Sequence, residues 1–189
     1  MVSRKHVMIA GTVAMLSGLG AGQSAAHENA RYTVFANDGP WQIRTGTNAG
    51  VNAFCAAWEY ALDTGDVLII TIFPFATQAN FLVRDANKSW TLPLNSNLPT
   101  RFDFSDGHSW LRNGVPAPNH VPRIDYAFDN VDMQNFLQDF SKSDGLDIVF
   151  NNGPEPGWTP DLTQSTQATT DLLGCANNLR RDSGAGGPP

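Results

Sequence analysis

Alternating apolar and polar residues recur along the chain from residue 32 onward and predict a series of short strands, because successive side chains of a strand point to opposite faces. Residues 67–73 are apolar on both faces apart from Thr71, which predicts a central strand covered from two sides. The other predicted strands are 32–35, 41–44, 54–60, 80–84, 89–94, 101–104, 123–128 and 146–150.

Turn-forming residues separate these segments by short connections. Residues 37–40 read Asn-Asp-Gly-Pro, which predicts a turn after the first strand. The pair Asp106-Gly107 lies between Phe104 and Trp110 and predicts a tight hairpin. Connections this short favour antiparallel pairing.

Two segments have helical periodicity, at about 129–141 and 165–179. Asp129 and Ser165 are the residues that can cap them. The apolar stripe of the first helix is Met133, Phe136, Leu137 and Phe140, and that of the second is Ala168, Leu172, Cys175 and Leu179. The pattern as a whole predicts a mainly β, antiparallel, sandwich-like single domain with these two helices packed on the sheet.

The first 26 residues have the layout of a secretory signal peptide. Arg4 and Lys5 precede an apolar run at 7–19, and small residues at 24–26 predict cleavage after Ala26. We therefore expect a periplasmic or secreted bacterial protein with one domain at 27–182 and a disordered Gly/Pro-rich tail at 183–189. An uncleaved membrane anchor is the alternative, although the apolar run is short for a bilayer span.

The charge balance limits the classes of partner. Loss of Arg4 and Lys5 with the leader would take the formal net charge from −6 to −8. Because so acidic a surface repels phosphate backbones and anionic lipid, neither a nucleic-acid partner nor a membrane-surface role is expected. No transmembrane segment is expected after cleavage of the leader. A protein partner or an envelope component is the expected ligand.

Cys55 and Cys175 are the two cysteines of the chain. In an oxidising compartment they are expected to form a disulfide, and a loop of about 120 residues would contribute roughly 4–5 kcal/mol by chain-entropy arguments. The alternative is two separately buried thiols, because the sequence does not give the distance between them.

Reactive constellations are weak. Asp103, Asp106 and His108 could ligate a metal, but Asp-Gly is also a common hairpin turn and the calcium-loop pattern is incomplete, so no metal and no cofactor are expected. His27 and His120 belong to no spaced ligand pair. The sequence contains no Gly-x-Ser-x-Gly elbow, and an acyl-transfer enzyme is therefore not predicted.

The five tryptophans divide into two groups. Trp41, Trp58 and Trp90 fit the periodicity of core positions. Trp110 and Trp158 lie beside Gly, Pro and Asn, which predicts an exposed pair suited to binding. The candidate ligand- or partner-binding residues are therefore Trp110, Trp158, His108 and Asp106, and no catalytic residue is assigned.

Several segments together resemble the invasion-associated locus B family of small bacterial envelope proteins. They are Trp-x-Ile at 41–43, the strand with Cys55, the apolar strand at 65–73, Leu-Pro-x-x-x-x-Leu-Pro at 92–99 leading into Arg-Phe-Asp-Phe, and Asp-Leu-Thr-Gln-Ser at 161–165 before the last helix. The resemblance implies a sandwich-like exported protein with envelope or host-interaction functions and no defined active site. Members of that family usually carry further cysteines, including one beside a glycine, whereas this chain has none between 55 and 175.

Three functions are consistent with these observations. The first is a non-enzymatic exported binding protein of the envelope. The second is an acidic inhibitor or immunity protein that blocks a basic partner enzyme, whose association would depend strongly on ionic strength. The third is a cell-wall glycan or peptide hydrolase that uses Asp residues such as Asp103 and Asp106 as acid and base.

Overall fold

The computed structural model describes residues 31–48, 51–74, 81–92, 97–117, 121–151 and 157–182. The predicted signal peptide at 1–26, the predicted tail at 183–189, His27 and His120 lie outside the described residues. Within these ranges the chain forms one domain of nine strands and two helices. The prediction of a mainly β, antiparallel domain with two helices is confirmed.

The strands form one antiparallel sheet in the order β1-β2-β3-β4-β5-β8-β7-β6-β9. The sheet is strongly curved, since Trp90 after β5 contacts Phe150 of the edge strand β9. The bounds are β1 Arg31–Asp38, β2 Trp41–Asn48, β3 Val51–Tyr60, β4 Val67–Ile72, β5 Phe81–Ala86, β6 Leu98–Phe104, β7 Ser109–Ala117, β8 Arg123–Phe128 and β9 Leu146–Phe150.

Both predicted turns are present. The first joins β1 to β2 through Gly39, whose φ of 59° is the left-handed conformation that glycine adopts without strain. The second joins β6 to β7 at residues 105–108. The β1–β2 and β6–β7 pairs are antiparallel hairpins, as the short connections predicted.

One predicted strand, at 89–94, is wrong for the residues that the structure describes. Ser89 lies in a turn and residues 90–92 are not in a strand. The Asn87 side chain accepts hydrogen bonds from the Ser89 backbone N–H (2.8 Å) and hydroxyl (2.7 Å), and the Trp90 N–H donates to the Asn87 carbonyl. Because the Asn87 side chain takes the Ser89 N–H, that group is not available to pair with a neighbouring strand, and a turn forms instead.

The helices are α1 (Asn130–Lys142) and α2 (Ser165–Asp182). Asp129 caps α1 as predicted, since its side chain accepts a hydrogen bond from the Asp132 N–H at 2.8 Å. No helix within the described ranges is long and apolar enough to cross a lipid bilayer. The predicted stripe residues are buried in α1 (Met133, Phe136, Leu137 and Phe140), and those of α2 are buried (Ala168, Leu172 and Cys175) or partly buried (Leu179).

The main core lies between the concave face of the sheet and the two helices. Helix α2 packs on β1, β2 and β3, while α1 contacts α2 and the β6–β8 end of the sheet. Trp41 of β2 meets Phe140 of α1 edge-to-face, with ring centroids 4.9 Å apart. This contact joins the two helical regions into one hydrophobic core.

Cys55 of β3 and Cys175 of α2 form a disulfide with a Cα–Cα distance of 6.0 Å. Cys55 occupies the concave face of the sheet, and Cys175 lies on the buried stripe of α2. The predicted pairing is confirmed, and the alternative of two separate thiols is excluded. The bond ties an early strand to the closing helix.

A second, smaller apolar cluster covers the convex face of β3 and β4. Its buried members are Phe54, Ala56 and Ile69, with Trp58 packed against them. The two buried faces of β4 agree with the prediction of a strand covered from both sides. Trp58 therefore belongs to this second cluster, whereas Trp41 and Trp90 lie in the main core.

Candidate functional site

The β6–β7 hairpin holds Asp106 and His108 side by side at the surface. The Phe104 N–H donates to the His108 carbonyl at 2.9 Å, and Gly107 has a φ of 95° that lets the chain reverse. The His108 N–H then donates to the Asp106 carboxylate at 3.1 Å. The turn at Asp106-Gly107 therefore also positions Asp106 and His108, two of the predicted binding residues.

Asp139 of α1 joins this pair to Trp110. One carboxylate oxygen, Oδ1, is 2.8 Å from His108 Nδ1, and the other, Oδ2, accepts a hydrogen bond from Trp110 Nε1 at 2.8 Å. The structure thus brings together three of the four predicted binding residues. We name Asp106, His108, Trp110 and Asp139 the hairpin surface.

Sequence reasoning missed Asp139. Its position three residues after Phe136 places it at the edge of the buried stripe of α1, where a side chain can reach a neighbouring element. That spacing was visible in the sequence. The sequence did not show that the hairpin lies beside this edge, because His108 is 31 residues away from Asp139 along the chain.

Acidic neighbours surround the imidazole of His108 on the hairpin surface. The hydrogen bond with Asp139 raises the pKa of His108 above its ordinary value, and the charges of Asp139 and Asp106 act in the same direction. The His108 side chain is 64% exposed, and a shallow surface depression of about 460 Å³ is lined by the hairpin and by Asn135 and Gln138 of α1. The imidazole is therefore accessible to a ligand.

Trp110 is held rigidly and is only half-buried. Its ring packs against Phe136, with centroids 6.1 Å apart, and the Arg112 guanidinium lies 4.9 Å from the ring centroid. Arg112 is itself fixed by a 2.6 Å ion pair with Asp132 of α1. A rigid indole loses little conformational entropy on binding.

Trp158 occupies a different place. Its backbone pairs with Ile148 of β9, and its indole N–H donates to the carboxylate of Asp85 at 2.9 Å. Asp85 is fully buried in β5, so the polar edge of Trp158 points inward. The predicted exposed pair of tryptophans is thus two half-buried residues in separate environments.

Asp103 also points away from the hairpin surface. It accepts hydrogen bonds from Ser109 and Arg101, both at 2.6 Å. Burial acts to raise the pKa of Asp103, but these two hydrogen bonds lower it below its ordinary value. A carboxylate with a lowered pKa is a poor general acid.

Two further carboxyls, Glu59 and Asp85, are buried on the concave face. They flank Leu68 of β4 in one cross-strand row, and one oxygen of each has no hydrogen-bond partner among the described residues. Burial raises the pKa of Glu59 to about 7 and that of Asp85 well above its ordinary value. Because both are buried, they act on stability and are not placed to meet a substrate.

Glu59 predicts a pH-dependent stability. Between about pH 4.5 and 7 the unfolded chain has released the proton of Glu59 while the folded chain retains it, so the free energy of unfolding should fall as pH rises. Glu59→Gln should reduce this slope and be more stable than the wild type by about 1–2 kcal/mol at pH 8. Urea unfolding at a series of pH values measures both effects.

The matched control is the exposed Asp144→Asn, for which the wild-type slope should persist. Residual slope in Glu59→Gln is expected from Asp85 and Asp38, whose pKa values are also raised. An unchanged slope in Glu59→Gln would mean that this carboxyl ionises freely in the folded chain.

No protein-family model matches this chain, and no curated protein sequence matches it. Among solved structures, the fold is similar to the crystal structure of invasion associated protein B from Bartonella henselae, with a TM-score of 0.53. The sequence identity is 14%, and the alignment covers 77% of this chain and 99% of that one. The likeness is therefore one of fold, which agrees in architecture with the resemblance seen in the sequence.

Proposed function

We propose that this chain is an exported, non-enzymatic binding protein of the bacterial envelope, and that the hairpin surface contacts its protein partner or envelope ligand. The observation that carries the proposal is the convergence of an indole, an imidazole and two carboxylates from the β6–β7 turn, β7 and α1 on one surface patch. Each polar group is held by a hydrogen bond. A rigid, amphipathic patch of this kind loses little entropy on association.

The chemistry of the hairpin surface favours binding over hydrolysis. A glycosidase needs one carboxyl that keeps its proton near neutral pH and a second that faces it across a cleft. Asp103 has a lowered pKa and is occupied by Arg101 and Ser109. Asp106 caps the hairpin turn instead of facing Asp103.

Export is supported by two observations. A disulfide between Cys55 and Cys175 is stable in oxidising compartments and rare in a reducing cytosol. Residues 1–26 have the layout of a secretory signal peptide, which would direct the chain out of the cytosol. Expression of the full chain followed by fractionation and mass spectrometry of the N-terminus should find a mature form that begins at His27. Recovery only of a cytosolic chain beginning at residue 1 would contradict export.

Binding is tested by comparing variants of the purified, oxidised chain. The double variant His108→Ala with Trp110→Phe removes the imidazole and the indole N–H but keeps an aromatic ring in the core. Tyr60→Ala, an exposed aromatic on β3, is the matched control. Each immobilised protein is incubated with an envelope extract, with and without EDTA, and bound components are quantified by mass spectrometry.

A component that is retained by the wild type and Tyr60→Ala but lost from the double variant supports the proposal. A component that is retained equally by all three proteins would place the binding surface elsewhere. Washing at increasing ionic strength tests the acidic-inhibitor hypothesis. A partner that is held mainly by charge should be released by salt, whereas a partner held by apolar contacts should stay bound.

A further inference from the structure

We infer that Asp106, His108 and Asp139 form a binding site for a divalent transition-metal ion such as Zn²⁺. The three residues offer one imidazole nitrogen and two carboxylate oxygens, and these atoms all lie within 4.8 Å of one another. The inference goes beyond the proposed function. It concerns the purified chain alone and holds or fails whether or not an envelope partner exists.

The distances from His108 Nδ1 to the two carboxylates bracket the ligand spacing around a bound zinc ion. His108 Nδ1 lies 2.8 Å from Asp139 Oδ1 and 3.6 Å from Asp106 Oδ2. Zinc bonds of about 2.0–2.2 Å to nitrogen and oxygen place neighbouring ligand atoms roughly 3–3.5 Å apart. Ion binding would therefore require the exposed Asp106 and His108 side chains to rotate toward that spacing.

Trp110 orients the most buried ligand. Its indole N–H donates to Asp139 Oδ2 at 2.8 Å, which leaves Oδ1 directed at His108. A hydrogen bond from outside the ligand set that fixes a metal-binding carboxylate is a regular feature of protein metal sites. The Asp139 side chain is only 14% exposed, so this orientation is held by packing as well as by the hydrogen bond.

The ligand types select among metals. Imidazole nitrogen favours zinc, copper and nickel over magnesium and calcium, which prefer sets of oxygen ligands. Three protein ligands leave at least one coordination position of zinc for water or for a group from a partner. The exposure of His108 places that open side toward solvent.

The experiment titrates the purified, oxidised, tag-free chain with Zn²⁺ in competition with a chromophoric chelator. His108→Ala and Asp106→Asn each remove one exposed ligand without touching the core. Two matched controls test whether binding is specific to this site. His120→Ala removes another histidine, and Asp103→Asn removes the neighbouring hairpin carboxylate that is bound to Arg101 and Ser109.

We expect one Zn²⁺ per wild-type chain. Binding should weaken at least about tenfold in His108→Ala and Asp106→Asn, and about tenfold in Trp110→Phe, which loses the orienting hydrogen bond together with part of the indole's packing. Both controls should bind as the wild type does. Near-UV circular dichroism of each variant verifies that the fold is retained.

Absence of stoichiometric Zn²⁺ binding by the wild type would overturn the inference and would identify the cluster as a hydrogen-bonded ion pair. Equal affinity in His108→Ala would overturn it as well, because the bound ion would then not depend on this imidazole. Neither result bears on the proposed partner binding, because that experiment is run both with and without EDTA.

Discussion

Phe136→Ala is expected to lower the free energy of unfolding by about 3–5 kcal/mol, because it leaves a cavity at the centre of the aromatic core. Phe136 is fully buried, and its ring contacts four other aromatic rings from three strands. They are Phe128 at 5.0 Å between centroids, Phe104 at 5.5 Å, Phe102 at 5.6 Å and Trp110 at 6.1 Å. Urea unfolding of the oxidised protein measures the loss.

The matched control lies on the same helix. Val131 is 67% exposed, and Val131→Ala should change the free energy of unfolding by no more than about 0.5 kcal/mol. The same cavity should loosen Trp110, which packs on Phe136 and binds Asp139. A loss below about 1 kcal/mol in Phe136→Ala would mean that the neighbouring rings collapse into the space or that α1 is not docked in this position.

Removal of the disulfide is expected to have a comparable effect. Replacing Cys55 and Cys175 together by alanine should lower the free energy of unfolding by about 2–5 kcal/mol, because the bond restricts a long loop in the unfolded chain. The two cysteines are 120 positions apart in sequence, and both are buried. Alanine is chosen because serine would bury a hydroxyl without a partner.

Reduction provides the internal control for this prediction. Wild-type protein unfolded in the presence of dithiothreitol should have the same midpoint as the double alanine variant, and the reductant should not affect that variant. If the oxidised wild type and the variant unfold within about 0.5 kcal/mol of each other, the contacts between α2 and the sheet hold the domain together without the covalent bond.

The elements of the fold could largely be predicted from local patterns. Alternation identified most of the strands, and the spacing of apolar residues identified both helices with the correct buried stripe. The strand predicted at 89–94 is wrong for the described residues. The apolar and polar residues alternate there, but the Asn87 side chain binds the backbone N–H of Ser89 and forms a turn. The asparagine side chain closes a turn on Ser89, and such a bond is local and could in principle have been anticipated.

The candidate site could be predicted only in part. Asp106 and His108 are neighbours across a turn, so their proximity follows from the hairpin itself. Trp158 was grouped with Trp110 because both have loop-like neighbours in the sequence. The structure separates them, since the indole of Trp158 is bonded to the buried Asp85. Flanking residues predict that a segment is irregular but carry no information on where its side chain points.

The amino-acid sequence by itself determined the class of the domain, the positions of its helices and hairpins, and the two cysteines available to pair. The elements depend on interactions between residues that are close along the chain. The disulfide follows because two cysteines allow only one pairing within the chain. Only the tertiary structure decided that Asp139 reaches His108 and Trp110, and that Glu59 and Asp85 are buried in one row of the sheet. These contacts depend on strand order and sheet curvature, which arise from packing between distant segments and leave no periodic trace in the sequence.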